Sequence, residues 1–166
     1  MNDIERIHSA YLAHPAVQTD TRKLRAGEIF FALKGPNFNG NSFARQALDA
    51  GAAAVVVDED QGITDPRLFL VADALKALQD LALEHRKTLK IPVLAITGSN
   101  GKTTTKELIH AVLSTTFRTS TTQGNLNNQI GVPLTLLAIK PDAEIAVVEL
   151  GANHQLEIEG YCRYTL

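Results

Sequence analysis

The chain has 166 residues, of which 45% are hydrophobic and 20% charged, a balance typical of a globular protein rather than a disordered one. Its net charge of -2 supplies no basic surplus for nucleic acid, so we expect no partner of that class. The charged opening residues do not form a secretory signal, and no apolar run approaches the ~20 residues of a membrane span. We therefore expect no membrane insertion. The single Cys162 cannot form an internal disulfide, which fits the reducing cytoplasm, so we expect a cytoplasmic protein.

Residues 1–90 are predicted to alternate between helices and strands. Asn41 or Ser42 can cap the second helix, and Gly51 stands at its C-terminal end. Asp73 can cap the third helix. From apolar spacing, caps and turn residues we predict helices over 3–13, 41–50 and 73–89 and strands over 29–33, 53–57 and 68–71.

The pattern restarts at Pro92, which disfavours helix at Ile91. We therefore predict a first domain over residues 1–90 and a second over residues 91–166. Alternating strands and helices in the second part indicate an α/β unit that binds its ligand at the carboxyl ends of parallel strands. The predicted elements there are strands over 93–97 and 143–150 and a helix over 102–115.

The second domain is expected to be truncated. It contains only two predicted strands, and a parallel sheet of two strands is difficult to bury on both faces. The chain stops at Leu166, shortly after a further predicted helix. We expect one complete small domain followed by the first part of a larger one.

The most specific motif is a glycine-rich loop between the strand over 93–97 and the helix that follows it. Its glycines allow backbone N–H groups to approach phosphate oxygens, and the helix N-terminus favours the same anion. Lys102 would reach the β- and γ-phosphates of ATP, and the Thr103 hydroxyl would bind Mg²⁺. The spacing between its glycines is shorter than in the common motif, and a simple strand-to-helix turn remains the alternative. The loop residues are Gly98, Ser99, Asn100, Gly101, Lys102, Thr103 and Thr104.

Two further residues near the predicted strand 143–150 could belong to the same site. Glu149 ends the apolar part of that strand, where a second Mg²⁺ ligand is expected, although a solvated charge at a strand end would look the same. His154 follows five residues later, and its chemistry alone assigns it no role, because a lone histidine is usually a surface residue.

Three polar segments are candidates for substrate contacts. Residues 121–128 are rich in amide side chains, which can donate and accept hydrogen bonds with sugar, phosphate or peptide groups. Residues 19–22 and 35–40 are polar turns in the first domain. An ordinary loop explains the composition of residues 121–128 equally well, and it is the favoured interpretation of the two turns in the first domain.

Taken together, these segments resemble the Mur ligases, ATP-dependent enzymes that form amide bonds in peptidoglycan synthesis. The resemblance covers nearly the whole chain and explains the short glycine spacing of the phosphate loop. Gly124-Asn125-Leu126-Asn127-Asn128 and Gly151-Ala152-Asn153-His154 resemble the branch that adds D-alanyl-D-alanine to UDP-N-acetylmuramoyl-tripeptide. The similar segments are Thr19–Arg22, Gly27–Gly35, Asn39-Gly40, Ala95–Thr105, Gln123–Leu134 and Val148–His154.

The resemblance implies an α/β fold, with a small N-terminal uridine-nucleotide-binding domain followed by the start of a P-loop-type parallel-sheet ATP-binding domain. It also implies a reaction in which ATP phosphorylates the tripeptide carboxylate and the amine of D-alanyl-D-alanine attacks the acyl phosphate. Lys102 would neutralise phosphoryl charge, Thr103 and Glu149 would hold Mg²⁺, and His154 would lie near them. The implied substrate residues are Asp20, Thr21 and Arg22 for the uridine nucleotide and Asn125, Asn127 and Asn128 for the muramoyl peptide.

The chain departs from the family pattern in two respects. Where the family often has Pro-Gly-Glu-Ile, this chain has Gln155-Leu156-Glu157-Ile158, so the local turn is expected to differ. The remaining central segment and the C-terminal domain of the family are not part of these 166 residues. We therefore expect the chain itself, as a monomer, to bind ligands without completing the reaction.

Three alternatives remain at this stage. A sibling ligase that adds the third amino acid, or a folylpolyglutamate synthase-like ligase, shares the phosphate loop, but the Asn125–Asn128 segment argues against both. A non-catalytic nucleotide-binding module would use ATP or a UDP-sugar only as a ligand, and the presence of Lys102, Thr103 and Glu149 argues against it. A small phosphoryl-transfer kinase is disfavoured because the chain ends soon after Glu149.

Overall fold

The computed structural model describes residues 3–166, which form two compact units that divide between Leu81 and Ala82. This division lies inside a long helix, so the domain boundary at residues 90 and 91 remains a prediction. Residues 1 and 2, with which the predicted first domain begins, lie outside the described residues. No helix among the described residues is both long enough and apolar enough to cross a membrane.

The first unit is built around a parallel sheet of four strands in the order β1-β2-β5-β6. A separate antiparallel hairpin, β3–β4, follows β2 along the chain. The elements are α1 Asp3–Ala13, β1 Val17–Gln18, β2 Ile29–Phe31, β3 Lys34–Gly35, β4 Phe38–Asn39, a 3-10 turn Gly40–Phe43, α2 Ala44–Asp49, β5 Ala54–Val57, β6 Leu68–Leu70 and the first half of α3 Ala74–Thr88.

The core of the first unit forms because its two central strands are apolar along their whole length. Every residue of β2 and β5 is buried, as parallel strands covered on both faces require. Phe30, Val55 and Val57 pack with the small residues Ala44 and Ala47 of α2. The sheet therefore presents its carboxyl edge, where β2 and β5 end, to the loops that follow.

The second unit contains a parallel sheet of three strands in the order β7-β9-β8. Apolar β9 lies in the middle, with Ala146, Val147 and Val148 buried. Its register places Glu149 beside Ile96, so the last residue of β9 lies next to the last residue of β7. The elements are β7 Val93–Ile96, α4 Lys102–Leu113, β8 Thr119–Thr121, α5 Gly131–Leu137, β9 Ile145–Glu149 and α6 Glu157–Thr165.

The α/β fold class is confirmed, as are most helices and strands predicted from the sequence. The Asp73 cap is also present, since its Oδ1 accepts a hydrogen bond of 2.9 Å from the backbone N–H of Lys76. Gly51 ends α2 in a left-handed conformation with φ of 86°. Strand and helix ends differ from the predicted ones by one to a few residues.

Several predictions about the elements were wrong. The second sheet has three strands rather than two, because polar Thr119–Thr121 pairs with β9 without an apolar pattern to reveal it. The helix predicted from Asn41 begins as a 3-10 turn and becomes α-helical only at Ala44. The polar turn over 35–40 includes most of the β3–β4 hairpin. Strand β1 and helix α5 were not predicted.

Leu156 adopts a left-handed conformation, with φ of 67°, immediately before α6. It stands where the family pattern described above often has glycine, the residue that adopts this conformation without a Cβ clash. We expect Leu156→Gly to stabilise the fold by about 0.5–1 kcal/mol, because the relief of backbone strain exceeds the added flexibility of the unfolded chain. Leu156 is 76% exposed, so little apolar burial is lost.

Urea denaturation would measure this change, with Gln155→Gly as the matched control. Gln155 does not have the positive φ of its neighbour, so the same glycine there should lower the free energy of unfolding. Equal effects of the two substitutions would contradict the assignment of strain to Leu156.

Candidate functional site

The loop between β7 and α4 has the backbone geometry of an anion-binding turn. Gly101 precedes α4 with φ of 76°, a conformation that favours glycine, and its carbonyl accepts the first helical hydrogen bond from Thr105. The N-terminal end of the twelve-residue α4 therefore faces the loop with unpaired N–H groups. Lys102 folds back over the loop, its Nζ donating to the Gly98 carbonyl oxygen at 2.7 Å.

Glu149 ends β9 beside this loop and is only 1% exposed. Its Oε1 accepts a hydrogen bond of 2.7 Å from Asn127 Nδ2. Its Oε2 is buried and has no hydrogen-bond partner among the described residues. A buried carboxylate oxygen without a donor is costly, so this atom is suited to a ligand that supplies positive charge.

The loop and the carboxylate together line one cleft of about 320 Å³. The cleft combines backbone N–H groups, one ammonium group, hydroxyls, two side-chain amides and a carboxylate. That donor set fits a polyphosphate with a bound cation. The lining residues are Ser99, Asn100, Gly101, Lys102, Thr103, Thr104, Asn127 and Glu149.

The residues present fit a magnesium ion brought in by a nucleotide. Mg²⁺ usually keeps several waters and is bound by one or two carboxylates together with substrate phosphates, not by a cage of protein ligands. Within residues 3–166 no group of three or more His, Cys, Asp or Glu side chains could hold a metal ion. Glu149 and Thr103, which line the same cleft, are the residues that would hold this metal.

Asn127 and Gly151 support the carboxylate from one side. The Gly151 N–H donates to the Asn127 carbonyl at 2.7 Å, and a Cβ on Gly151 would lie 2.9 Å from the Asn127 side chain. The absence of a side chain at position 151 thus allows Asn127 to reach Glu149. The motif Gly151-Ala152-Asn153-His154 gave no direct indication of this packing.

Two buried polar residues of the site were missed by the sequence analysis. Thr122, which directly follows β8, accepts a hydrogen bond of 2.9 Å at its Oγ1 from the Glu149 N–H. Lys106 of α4 is 1% exposed, and its Nζ donates to the Thr122 carbonyl oxygen at 2.7 Å. Lys106 belongs to no local motif, and Thr122 lies in the polar segment 121–128, whose composition does not distinguish it from its neighbours.

Apart from Gly98 of the loop, whose carbonyl oxygen accepts from Lys102, three residues predicted for this site do not line the cleft. Asn125 is exposed, and Asn128 accepts hydrogen bonds at its Oδ1 from the N–H groups of Ile130 and Gly131, so it caps α5. The His154 side chain is 82% exposed, and its Nδ1 lies 3.3 Å from Glu157 Oε1. In this conformation none of the three side chains lies in the cleft with the loop and Glu149.

The predicted uridine-nucleotide residues lie together in a pocket of the first unit. The pocket has a volume of about 450 Å³ and is lined by Thr19, Asp20, Thr21, Arg22, Phe38 and Phe43. The rings of Phe38 and Phe43 are stacked with centroids 5.5 Å apart, and the sequence analysis did not single out either ring. A pocket that combines aromatic rings with hydroxyl and charged groups is suited to a planar base attached to a polar sugar.

Asp20 and Arg22 form a bidentate ion pair at the edge of this pocket, with Nε–Oδ1 and Nη2–Oδ2 distances of 2.9 and 2.8 Å. The hydrogen bonds from the Arg22 side chain and backbone N–H lower the pKa of Asp20 to about 2. A depressed folded-state pKa stabilises the folded state above the unfolded pKa, and this contribution is lost as the pH falls toward 2.

We expect Arg22→Ala to raise the pKa of Asp20 only part of the way to its ordinary value, because the backbone hydrogen bond at 3.0 Å remains. The pKa of Asp20 would be measured by NMR from the chemical shift of its carboxyl carbon as a function of pH. Arg67→Ala is the matched control, since Arg67 lowers the pKa of Asp65 to about 2 in the same way and should leave Asp20 unchanged. An unaltered Asp20 titration in Arg22→Ala would contradict the assignment.

Comparison with known families gives matches along nearly the whole chain. Residues 15–99 match the family described as "Mur ligase family, catalytic domain", and residues 96–165 match the "Mur ligase middle domain". The chain belongs to the Mur ligase family. The phosphate loop and Glu149 of this Mur ligase chain lie within or at the edge of the middle-domain match.

Curated relatives carry a more specific name. The UDP-N-acetylmuramoyl-tripeptide–D-alanyl-D-alanine ligase of Bacillus subtilis is 49% identical over 147 residues, which cover 86% of this Mur ligase chain and 32% of the relative. The enzyme of the same name from Escherichia coli is 47% identical over 152 residues, covering 92% and 33%. The chain thus spans about a third of the length of the curated relatives it matches.

A solved structure supports the fold of this Mur ligase chain. The MurF ligase from Thermotoga maritima, crystallised in complex with ADP, matches with a TM-score of 0.84 at 31% identity. The match covers 99% of this chain and 36% of that chain. The mixed α/β architecture with parallel sheets is therefore shared with MurF.

Proposed function

We propose that the second unit binds ATP with Mg²⁺ in the cleft between the loop after β7 and Glu149. The observation that carries this proposal is the carboxylate of Glu149, a residue that lines the cleft and whose buried Oε2 has no hydrogen-bond partner among the described residues. The N-terminus of α4 and the Lys102 ammonium supply the positive charge that the phosphates require. The ADP bound in the Thermotoga maritima relative supports a nucleotide as the ligand.

We further propose that the protein carrying this chain is an ATP-dependent ligase of peptidoglycan precursor synthesis. It would add D-alanyl-D-alanine to UDP-N-acetylmuramoyl-tripeptide, as the names of the relatives state for them. The 166-residue chain spans about a third of those relatives, so for the chain itself we propose ligand binding without turnover. We also propose that the protein is cytoplasmic and monomeric and that it binds no nucleic acid.

The proposed chemistry is the activation of the tripeptide carboxylate as an acyl phosphate, followed by attack of the dipeptide amine and release of phosphate. Lys102 would hold the β- and γ-phosphates and neutralise the charge that develops on the transferring group. Thr103 and Glu149 would hold Mg²⁺, which supplies Lewis-acid polarisation of the phosphoryl oxygens when it is bound. Positioning and charge neutralisation provide most of the rate enhancement in such transfers.

The uridine nucleotide is proposed to occupy the pocket of the first unit. Asp20, Thr21 and Arg22 would contact its polar groups, while the stacked Phe38 and Phe43 provide an apolar surface for the base. Asn125, Asn127 and Asn128 remain proposed contacts of the muramoyl peptide. His154 remains a proposed neighbour of the metal and phosphates, and it would need to move from its partner Glu157 to take that position.

Calorimetry on the 166-residue chain would test the binding part. We expect UDP-N-acetylmuramoyl-tripeptide to bind, and the nonhydrolysable ATP analogue AMP-PNP to bind more tightly in excess Mg²⁺ than in EDTA. The absence of any Mg²⁺ effect would remove the support for a metal at Glu149. An amide product formed by the purified chain would contradict binding without turnover.

ADP release by the protein that carries this chain would test the reaction. With UDP-N-acetylmuramoyl-tripeptide present, we expect release to depend on D-alanyl-D-alanine rather than on other amino acids or dipeptides. Preference for a single amino acid would replace the proposal with a sibling ligase. If both ligands bind but no amine substrate causes ADP release, the protein would instead be a non-catalytic nucleotide-binding module.

A further inference from the structure

Lys106 is a buried charge that the nucleotide cleft does not explain. It lies on α4, one turn after Lys102, but it does not line the cleft. Its side chain is 1% exposed, whereas its ion-pair partner Glu107, at 2.8 Å, is 59% exposed. Burying an ammonium group costs energy that only good hydrogen-bond geometry offsets. The Lys106 ammonium meets that condition at one buried acceptor, the Thr122 carbonyl oxygen at 2.7 Å.

Thr122 is held by hydrogen bonds at three of its atoms. Its carbonyl oxygen accepts from Lys106, its N–H donates to the Val147 carbonyl oxygen at 3.1 Å, and its Oγ1 accepts from the Glu149 N–H at 2.9 Å. Thr122 is itself only 1% exposed. A displacement of Thr122 therefore moves the acceptor of the Glu149 backbone N–H.

Glu149 is consequently fixed at both its backbone and its side chain. Thr122 holds the backbone N–H, and Asn127 Nδ2 holds Oε1 at 2.7 Å. These two contacts leave Oε2 as the buried carboxylate oxygen without a partner among the described residues. The direction in which that oxygen points depends on both supports.

We propose that Lys106 is a positioning residue for the Glu149 carboxylate and acts through Thr122. The proposal rests on the proposed function, in which Glu149 holds Mg²⁺. Groups that orient a metal ligand without touching the metal affect metal affinity strongly. Lys106 thus contributes to the metal site from within α4, the helix whose N-terminus binds the phosphates.

A purely structural role for Lys106 would have a different consequence. If the hydrogen bond to Thr122 only attached α4 to the end of β8, its loss would lower stability and leave the effect of Mg²⁺ on nucleotide affinity unchanged. The informative quantity is therefore the ratio of AMP-PNP dissociation constants in EDTA and in excess Mg²⁺. Calorimetry on folded chain would give this ratio without any activity measurement.

We expect Lys106→Met, which keeps an unbranched apolar side chain but removes the ammonium group, to lower this ratio by about 10–100-fold. The dissociation constant in EDTA should stay unchanged, because Lys106 does not line the phosphate cleft. Glu107→Gln is the matched control, since it removes the ion-pair partner of Lys106 and leaves the contact with Thr122 in place. The control should keep the wild-type ratio.

A second pair of substitutions, at Thr122, tests the contact between Thr122 and Glu149 in case Lys106→Met does not fold. Thr122→Val removes the acceptor for the Glu149 N–H and should lower the ratio, whereas Thr122→Ser keeps the hydroxyl and should restore it. A wild-type ratio in folded Lys106→Met would overturn the positioning role alone, and so would a wild-type ratio in Thr122→Val. A wild-type chain that shows no Mg²⁺ effect would overturn the metal site and the positioning role together.

Discussion

Replacement of Glu149, the proposed Mg²⁺ ligand, with glutamine is expected to weaken AMP-PNP binding in excess Mg²⁺ by about 100-fold, because loss of a metal ligand should matter at least as much as loss of its supporting residues. The substitution keeps an Oε1 acceptor for the Asn127 amide, so the fold should be preserved. In EDTA the effect should be absent or reversed, since removal of a buried negative charge reduces its repulsion of the phosphates. Calorimetry in the two buffers would measure both effects.

Glu144→Gln provides the matched control for this prediction. Glu144 directly precedes the same strand, β9, at the opposite end, and it pairs with Arg118 at 3.5 Å rather than with the cleft. The control should bind AMP-PNP like the wild-type chain in both buffers. If Glu149→Gln lowers the affinity for AMP-PNP equally in EDTA and in excess Mg²⁺, Glu149 acts on the nucleotide directly and not through a metal.

Replacement of Lys102 with alanine is expected to weaken AMP-PNP binding by about 10–100-fold both in EDTA and in excess Mg²⁺. This range follows from a charge-assisted hydrogen bond of about 1.5–3 kcal/mol, with a tenfold change in affinity for each 1.4 kcal/mol. Because the affinity is lost in EDTA as well, this result would distinguish Lys102 from Glu149. The same calorimetric titrations would measure the affinity in both buffers.

The stability of the chain should hardly respond to Lys102→Ala. The contact of Lys102 with the Gly98 carbonyl is exposed, and surface substitutions of this kind usually change the free energy of unfolding by less than about 0.5 kcal/mol. Lys87→Ala removes the same charge from an exposed ion pair with Glu84 and should leave binding unchanged. A Lys102→Ala chain that binds AMP-PNP with wild-type affinity would contradict the assigned phosphate contact.

The accuracy of the sequence analysis followed the strength of the apolar signal. Ala54–Val57 is buried on both faces, and its continuous apolar run identified it. Thr119–Thr121 forms β8 through backbone pairing with β9, and its polar side chains gave no such signal. Gly131–Leu137 was missed because Gly131 and Pro133 usually interrupt helices, although proline is tolerated in a first helical turn.

The candidate site divides in the same way between local and long-range information. The phosphate loop and Glu149 belong to short segments whose chemistry is visible in sequence, and the structure brings them together in one cleft. The burial of Lys106 depends on a strand that begins thirteen residues later, so in sequence it looks like an ordinary surface charge of a helix. His154 was assigned from resemblance, and its exposed side chain leaves that role a prediction.

The position of β9 between β7 and β8 links ligand occupancy to folding. The cleft takes residues from the loop after β7, from the segment after β8 and from the end of β9, so the cleft exists only once all three strands have paired. A ligand that requires the paired sheet shifts the folding equilibrium by mass action, by about 2.7 kcal/mol at a concentration of 100 times its dissociation constant. Nucleotide should therefore protect the second unit against proteolysis, and the protease would act as a reporter of occupancy.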